Sequence, residues 1–177
     1  FYLSLVIGLL LLLTLILYII YMRRMHRKNR ALYDSILQYR RVQDEVESSE
    51  KAIPEEQLDR EGRLYRQLCE LMHTREVYKD TALNRDILAE QLGTNSVYLA
   101  DAVRKYADGA TVNEFINSYR LRRAASLLTG NPDLNINEVE FLSGFNSRST
   151  FNRCFRTSYG MSPSEYKVIS KEKKKRK

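Results

Sequence analysis

Apolar residues follow three regimes along this chain. From Phe1 to Met22 they run without a charge, as FYLSLVIGLLLLLTLILYIIYM, with Ser4, Gly8 and Thr14 as the only small or weakly polar interruptions. About 20 such residues at 1.5 Å rise span a ~30 Å hydrocarbon core, so this segment is expected to cross a membrane as a helix. Tyr18 and Tyr21, near one end, suit the interface. From 31 to 53 the pattern thins to Leu32, Ile36, Tyr39, polar Gln43 and Val46, the 4-3-4-3 seam of a short coiled coil. Pro54 breaks it. A second helical stretch then starts near Glu55 and carries Leu58, Leu64, Leu68 and Leu71 or Met72. The seam admits two readings, a parallel dimer stalk or an amphipathic helix packed on the domain that follows.

From Leu83 onward, short amphipathic helices alternate with tight turns. Asp86–Leu92 is a helix with Ile87, Leu88 and Leu92 as its apolar face, and Gly93 supplies a left-handed turn. Asn95 or Ser96 caps a second helix holding Val97, Tyr98, Leu99, Ala102, Val103 and Tyr106. The plan recurs about fifty residues on: Ile136–Leu142, a turn at Gly144-Phe145, then a helix capped by Asn146 or Ser147 and running to about Tyr159. Between them Thr111 caps a long helix from Val112 to Leu128, which Gly130-Asn131-Pro132 is expected to end through a left-handed residue. Helix, short glycine turn, helix is the helix-turn-helix plan. The fold class is all-α: one transmembrane helix (1–22), a basic flank and helical linker (23–73), and a seven-helix domain (74–170) whose two helix-turn-helix units share a long central helix. A disordered basic tail (171–177) follows.

Charge sharpens the picture once it is divided. The net +7 is concentrated in residues 23–30, with five basic residues and no acid, and in 171–177, with six basic residues and one acid. Arg23, Arg24, Arg27, Lys28 and Arg30 directly after the apolar run place that flank, and all that follows it, on the cytoplasmic face of an inner membrane. The tail is read as general attraction to DNA or anionic lipid, or as a solvated end. Residues 74–114 carry net −2 and 115–170 net +3. Cys69 and Cys154 fit a reducing compartment better than a disulfide framework. With two histidines, His26 and His73, and no phosphate loop or nucleophile elbow, no enzyme, cofactor or metal is expected. The start at Phe1 reads as the C-terminal part of a longer chain, with a sensing region upstream.

Residues from about 64 to 169 resemble the AraC/XylS-type DNA-binding domain. The likeness rests on Ile136-x-Glu138-Val139, Ser143-Gly144-Phe145-Asn146-Ser147, Phe151-x-Arg153-x-Phe155-Arg156 and Tyr159-Gly160-Met161-Ser162-Pro163-Ser164-Glu165-Tyr166. It implies two recognition helices entering successive major grooves of double-stranded DNA. Together with the apolar run, the expectation is a transcription regulator tethered to the membrane, a homodimer, with RNA polymerase as a further partner.

A recognition helix reads bases from its N-terminal turns. In the second unit these positions are Arg148, Ser149, Thr150, Asn152 and Arg153. Arg148, Ser149 and Asn152 are the expected base readers, and Arg153 and Arg156 the expected phosphate ligands. The first unit departs from the resemblance, with Ala100 and Asp101 where long polar or basic readers usually stand. Asn95, Ser96, Val97 and Tyr98 remain as its contacts, and the second unit is expected to carry most of the reading. Of Arg120, Arg122 and Arg123 on the central helix, Arg120 is taken toward the DNA backbone, and Arg123 is alternatively a bridge to Glu114 or Glu138. Glu140 stands where a small residue is usual and is expected either to snorkel outward or to find a partner such as Arg153 or Arg148, because an unpaired buried carboxylate is costly. Asp101 and Glu140 also support a second reading, an interaction or scaffold protein whose fold no longer binds DNA.

Overall fold

The computed structural model describes residues 2–50, 58–131 and 133–174, with side chains of the first helix described at 7–23, 29–30, 32–36 and 38. Among the described residues there are eight α-helices, one 3-10 turn and no strand. They are α1 (Tyr2–Glu50), α2 (Arg60–Thr74), the 3-10 turn Val77–Lys79, α3 (Arg85–Gln91), α4 (Ser96–Tyr106), α5 (Val112–Gly130), α6 (Ile136–Leu142), α7 (Arg148–Tyr159) and α8 (Pro163–Lys174).

Most of these helices begin on a side chain that accepts the backbone N–H groups left open at a helix start. Asn84 caps α3, Asn95 caps α4 and Ser147 caps α7. Thr111 with Glu114 and Asn135 with Glu138 form reciprocal capping boxes at α5 and α6. Asp59, outside the expected start near Glu55, caps α2 through a 2.7 Å bond from Gly62 N. The end of α5 also differs from expectation. Gly130 is its last helical residue, Asn131 follows at φ −119°, and neither residue is left-handed.

Two cores share α5. Its first half gives Val112, Phe115, Ile116 and Tyr119 to a cluster with Leu68 and Met72 of α2, Leu88 of α3 and Leu99 and Val103 of α4. Its second half gives Leu121, Ala124, Ala125, Leu127 and Leu128 to a cluster with Val139, Phe151, Phe155, Tyr159, Tyr166 and Ile169. α5 buries ten of its nineteen residues because it contributes to both cores, while Asn113, Glu114, Ser118 and Ser126 face solvent. The stretch read as linker thus supplies α2, a core helix of the first half.

The described part of the seam stays within the chain. Tyr33, absent from the expected seam, is 3% exposed and joins the second core with Ile36 packed against it. The side chains of Tyr39, Gln43 and Val46 lie outside those described, and Pro54 and Glu55 lie outside the described residues. Residues 171–174, expected as disordered tail, are the last turn of α8, while 175–177 lie outside the described residues.

The expected membrane placement is corrected. Among the described residues, no helix is long and apolar enough to cross a membrane. The large apolar side chains of α1 described from Ile7 to Met22 are exposed.

Candidate nucleic-acid interface

The two halves are joined at one buried guanidinium. Arg120, at mid-length of α5, is 8% exposed. Its Nε donates to the Tyr78 carbonyl at 2.9 Å and its Nη2 to the Asp80 carbonyl at 2.8 Å. The guanidinium lies 5.9 Å from the Phe145 ring centroid. Gly144, at φ +91°, packs against the same loop, where a Cβ would fall 2.2 Å from the Tyr78 carbonyl oxygen. The Asn146 amide donates to the Thr81 carbonyl at 3.3 Å. The turn of the second unit is therefore seated on the loop after α2. Arg120 is a clamp in the interior, its guanidinium committed to the Tyr78 and Asp80 carbonyls, whereas the sequence reading expected it toward the DNA backbone. Burial lowers its pKa from the ordinary arginine value, partly offset by Asp80.

In the second unit, α7 turns Phe151, Phe155 and Tyr159 inward and leaves Arg148, Ser149, Arg153 and Arg156 exposed. Ser149, Arg153 and Arg156 stand at i, i+4 and i+7, one stripe of the helix surface. Arg148 opens the helix. Thr150 is half-buried, and its N–H donates to the capping Ser147 at 3.4 Å. The Ser149 hydroxyl shares a 3.0 Å hydrogen bond with the Ser147 hydroxyl. The Asn152 side chain, also half-buried, donates to the Arg148 carbonyl at 2.9 Å, which leaves its oxygen as the free edge. Among the described residues, no ion pair holds Arg148, Arg153 or Arg156. Three uncommitted cations on the solvent side of a helix whose other side is locked into the core make a rigid, positively charged ridge.

The first unit is built differently. Asn95 is occupied in capping, accepting from Val97 N at 3.0 Å and Tyr98 N at 2.9 Å. The Ser96 hydroxyl donates to Asp86, and this bond holds the Asp86 carboxyl below its usual range. Two of the four expected contacts are thus committed to the fold. Val97 and Tyr98 remain exposed, at 67% and 44%. The guanidinium of Arg60, from α2, lies 4.4 Å over the Tyr98 ring. Asp101 is exposed on the same helix. The ridge of α4 therefore offers an apolar and aromatic tip, a carboxylate, and a cation borrowed from another helix.

Other expectations are settled by geometry. Glu140 is half-buried, and among the described residues no ion pair joins it to Arg148 or Arg153. The tight approach beside it is made by Ser143, fully buried, whose hydroxyl donates to the carbonyls of Val139 at 2.6 Å and Glu140 at 3.0 Å. Arg123 bridges neither Glu114 nor Glu138, since both close capping boxes. It lies near Glu76, whose carboxyl is lowered mainly by the Lys79 hydrogen bond and more weakly by Arg123. Arg122 covers the Tyr119 ring at 4.1 Å. His73 is exposed on α2, with Nδ1 2.8 Å from the Cys69 carbonyl.

Sequence reasoning missed Arg60, Tyr33 and the clamp role of Arg120. Each acts on a residue more than thirty positions away, so no local spacing carries a signal for it.

Residues 88–168 match the protein-family model described as a helix-turn-helix domain. Among relatives, the uncharacterised HTH-type transcriptional regulator YijO of Escherichia coli is 36% identical over 87 residues, 49% of this chain and 30% of that protein. Histidine kinase P4 of Formosa agariphila is 36% identical over 83 residues, 46% of this chain and 6% of that protein. The chain thus spans less than a third of the length of either. The C-terminal domain of AraT, a response regulator from Geobacillus stearothermophilus, shares the fold at a TM-score of 0.55 and 22% identity, over 62% of this chain and 88% of that one.

Proposed function

On the premise that the chain carries an AraC-type helix-turn-helix domain, we propose that it is a DNA-binding transcription regulator whose sequence reading rests mainly on α7. The observation that carries this reading is the contrast between the two recognition helices. Along α7, Arg148, Arg153 and Arg156 are exposed and free of ion pairs among the described residues, whereas α4 has Asn95 and Ser96 committed to the fold and Asp101 exposed.

The physical consequences follow from where each group sits. Arg148, at the tip of α7, meets a base edge, and a guanidinium pairs bidentately with guanine. Ser149 and the free oxygen of Asn152 flank it. Arg153 and Arg156, further along, meet phosphates and fix the register without reading sequence. Val97 and Tyr98 at the tip of α4 suit an apolar contact such as a thymine methyl group. Asp101 opposes phosphate or accepts from a cytosine amino group. The fused cores and the Arg120 clamp keep both helices in one rigid frame, so the weak reader still sets the register of the strong one.

The test is a titration of the chain against random and selected duplexes over a range of salt. A linear fall of log affinity with log salt, and a selected sequence bound at least about a thousandfold more tightly than random DNA, support the reading. Negligible affinity at low salt would instead identify an interaction protein that keeps only the fold.

A further inference from the structure

We infer that α1 is a control lever for the second helix-turn-helix unit: seated on α8, it holds the packing of α7 and α8, and its withdrawal loosens that unit while the core of the first unit stays intact. The consequence for DNA rests on the regulator reading above. The lever itself does not.

The contact is built from three kinds of interaction over two turns of α1. Tyr33 is buried, with its ring centroid 4.8 Å from that of Tyr166. Leu32 lies over the turn between α7 and α8, and the missing side chain of Gly160 makes room for it: a Cβ there would fall 2.3 Å from Leu32 Cδ2. Around this apolar centre, Arg30 pairs with Glu172 and Asp34 with Lys173. Lys173 also lies 5.0 Å from the Tyr33 ring centroid, and Asn29 donates to Glu165 at 3.5 Å. Opposite charges at 30 and 34 meet opposite charges at 172 and 173, so a one-turn slip of α1 would break both pairs. The seat has a defined register.

What the seat touches gives it leverage. Tyr166 packs edge-on to Phe155 at 5.4 Å, and Phe155 packs on Phe151 at 5.7 Å. Both phenylalanines are the inward face of α7, directly behind its exposed arginines. Tyr33 thus buttresses the back of the recognition helix through one intermediate ring. The seat lies at the C-terminal end of α7, away from Arg148, so α1 does not cover the reading tip. Docking supports reading and does not occlude it. The first unit has its own anchor, since Asp59 of α2 is held by Lys105 and Tyr106 of α4.

The experiment uses the full chain with two variants, Tyr33→Ala and Arg30→Glu, the latter setting two carboxylates against each other. Hydrogen exchange is followed in α7 and α8, with α4 as internal reference. In both variants, exchange in α7 and α8 is expected to rise by about tenfold while α4 keeps its protection. Glu172→Arg added to Arg30→Glu is expected to restore it. Affinity for the selected duplex is expected to fall about fivefold in Tyr33→Ala, with base preference lost where Arg148 reads. Unchanged exchange of α7 and α8 in Tyr33→Ala overturns the lever, as does an equal loss of protection in α4. If the parent chain binds no DNA at low salt, the regulator reading fails and the exchange comparison still decides the lever.

Discussion

The Nε of Arg120 lies 2.9 Å from the carbonyl oxygen of Tyr78 and joins the central helix to the loop that carries the turn of the second unit. With the Nη2 bond to Asp80 it places two charge-assisted hydrogen bonds in the interior. Each such bond contributes about 1.5–3 kcal/mol, and removing the donor leaves a buried carbonyl unpaired. Arg120→Met is therefore expected to destabilise the chain by about 3–5 kcal/mol in urea unfolding. A phosphate ligand at this position would behave differently, lowering the salt dependence of DNA binding with little change in unfolding. That result would return Arg120 to the interface.

Two glycines in equivalent turns separate space from backbone strain. Gly93 and Gly144 both sit at positive φ, but a Cβ on Gly93 meets nothing within 4 Å. Gly93→Ala is expected to cost about 1–2 kcal/mol, the left-handed penalty alone. At Gly144 the added carbon would collide with the Tyr78 carbonyl and crowd Arg120 Nε at 3.1 Å. Gly144→Ala must part the two halves and is expected to lower Tm far more, by at least twice as much. Equal shifts in Tm would mean that the junction yields without cost.

Asp59 gives the first half a defined acid limit. Its carboxyl accepts from the Lys105 ammonium, the Tyr106 hydroxyl and Gly62 N, and these lower its pKa to about 2. A pKa depressed on folding contributes stability above the unfolded value, near 4, and that contribution is lost as pH falls toward 2. Asp59→Asn keeps a capping oxygen but removes the charge. It is expected to melt below the parent at neutral pH, with the gap closing between about pH 4 and pH 2. A gap independent of pH in thermal melts would show that the charge is irrelevant there.

How far the sequence revealed this molecule depends on the range of each interaction. Gly93, the caps at Asn95 and Ser147, the Thr111 box and the inward Phe151 and Phe155 are local features, and a pattern within seven residues discloses them. Arg120 and Arg148 look alike in sequence, each an arginine on a helix. Only the path of a loop forty residues away makes one a buried clamp and leaves the other exposed. Asn95 and Ser96 were readable as caps or as contacts, and the structure commits both within the fold. Tyr33 falls between the seam positions Leu32 and Ile36, yet it is the buried ring, because α1 packs on α8 of the same chain through Tyr166. The apolar run at the start of α1 suggested a membrane span, but among the described residues no helix is long and apolar enough to cross one.

The asymmetry between α7 and α4 leads to the most direct test of function. A phosphate contact adds nearly one unit to the slope of log affinity against log salt, whereas a base contact changes the preference among sequences. Arg153→Ala and Arg156→Ala are each expected to reduce that slope by about one and to weaken selected and random duplexes alike. Arg148→Ala is expected to cost about 1–3 kcal/mol on the selected duplex and to relax the base preference at one position, with little effect on random DNA. If α4 lies along the DNA as proposed, Asp101→Ala removes a carboxylate that opposes phosphate and is expected to tighten binding or leave it unchanged. These outcomes follow from exposure and charge: three arginines on α7 are free to meet DNA, and the exposed residues of α4 include no cation at its tip. A loss of specificity at Asp101 as large as that at Arg148 would show that α4 reads a base through its carboxylate and that the two units share the work equally.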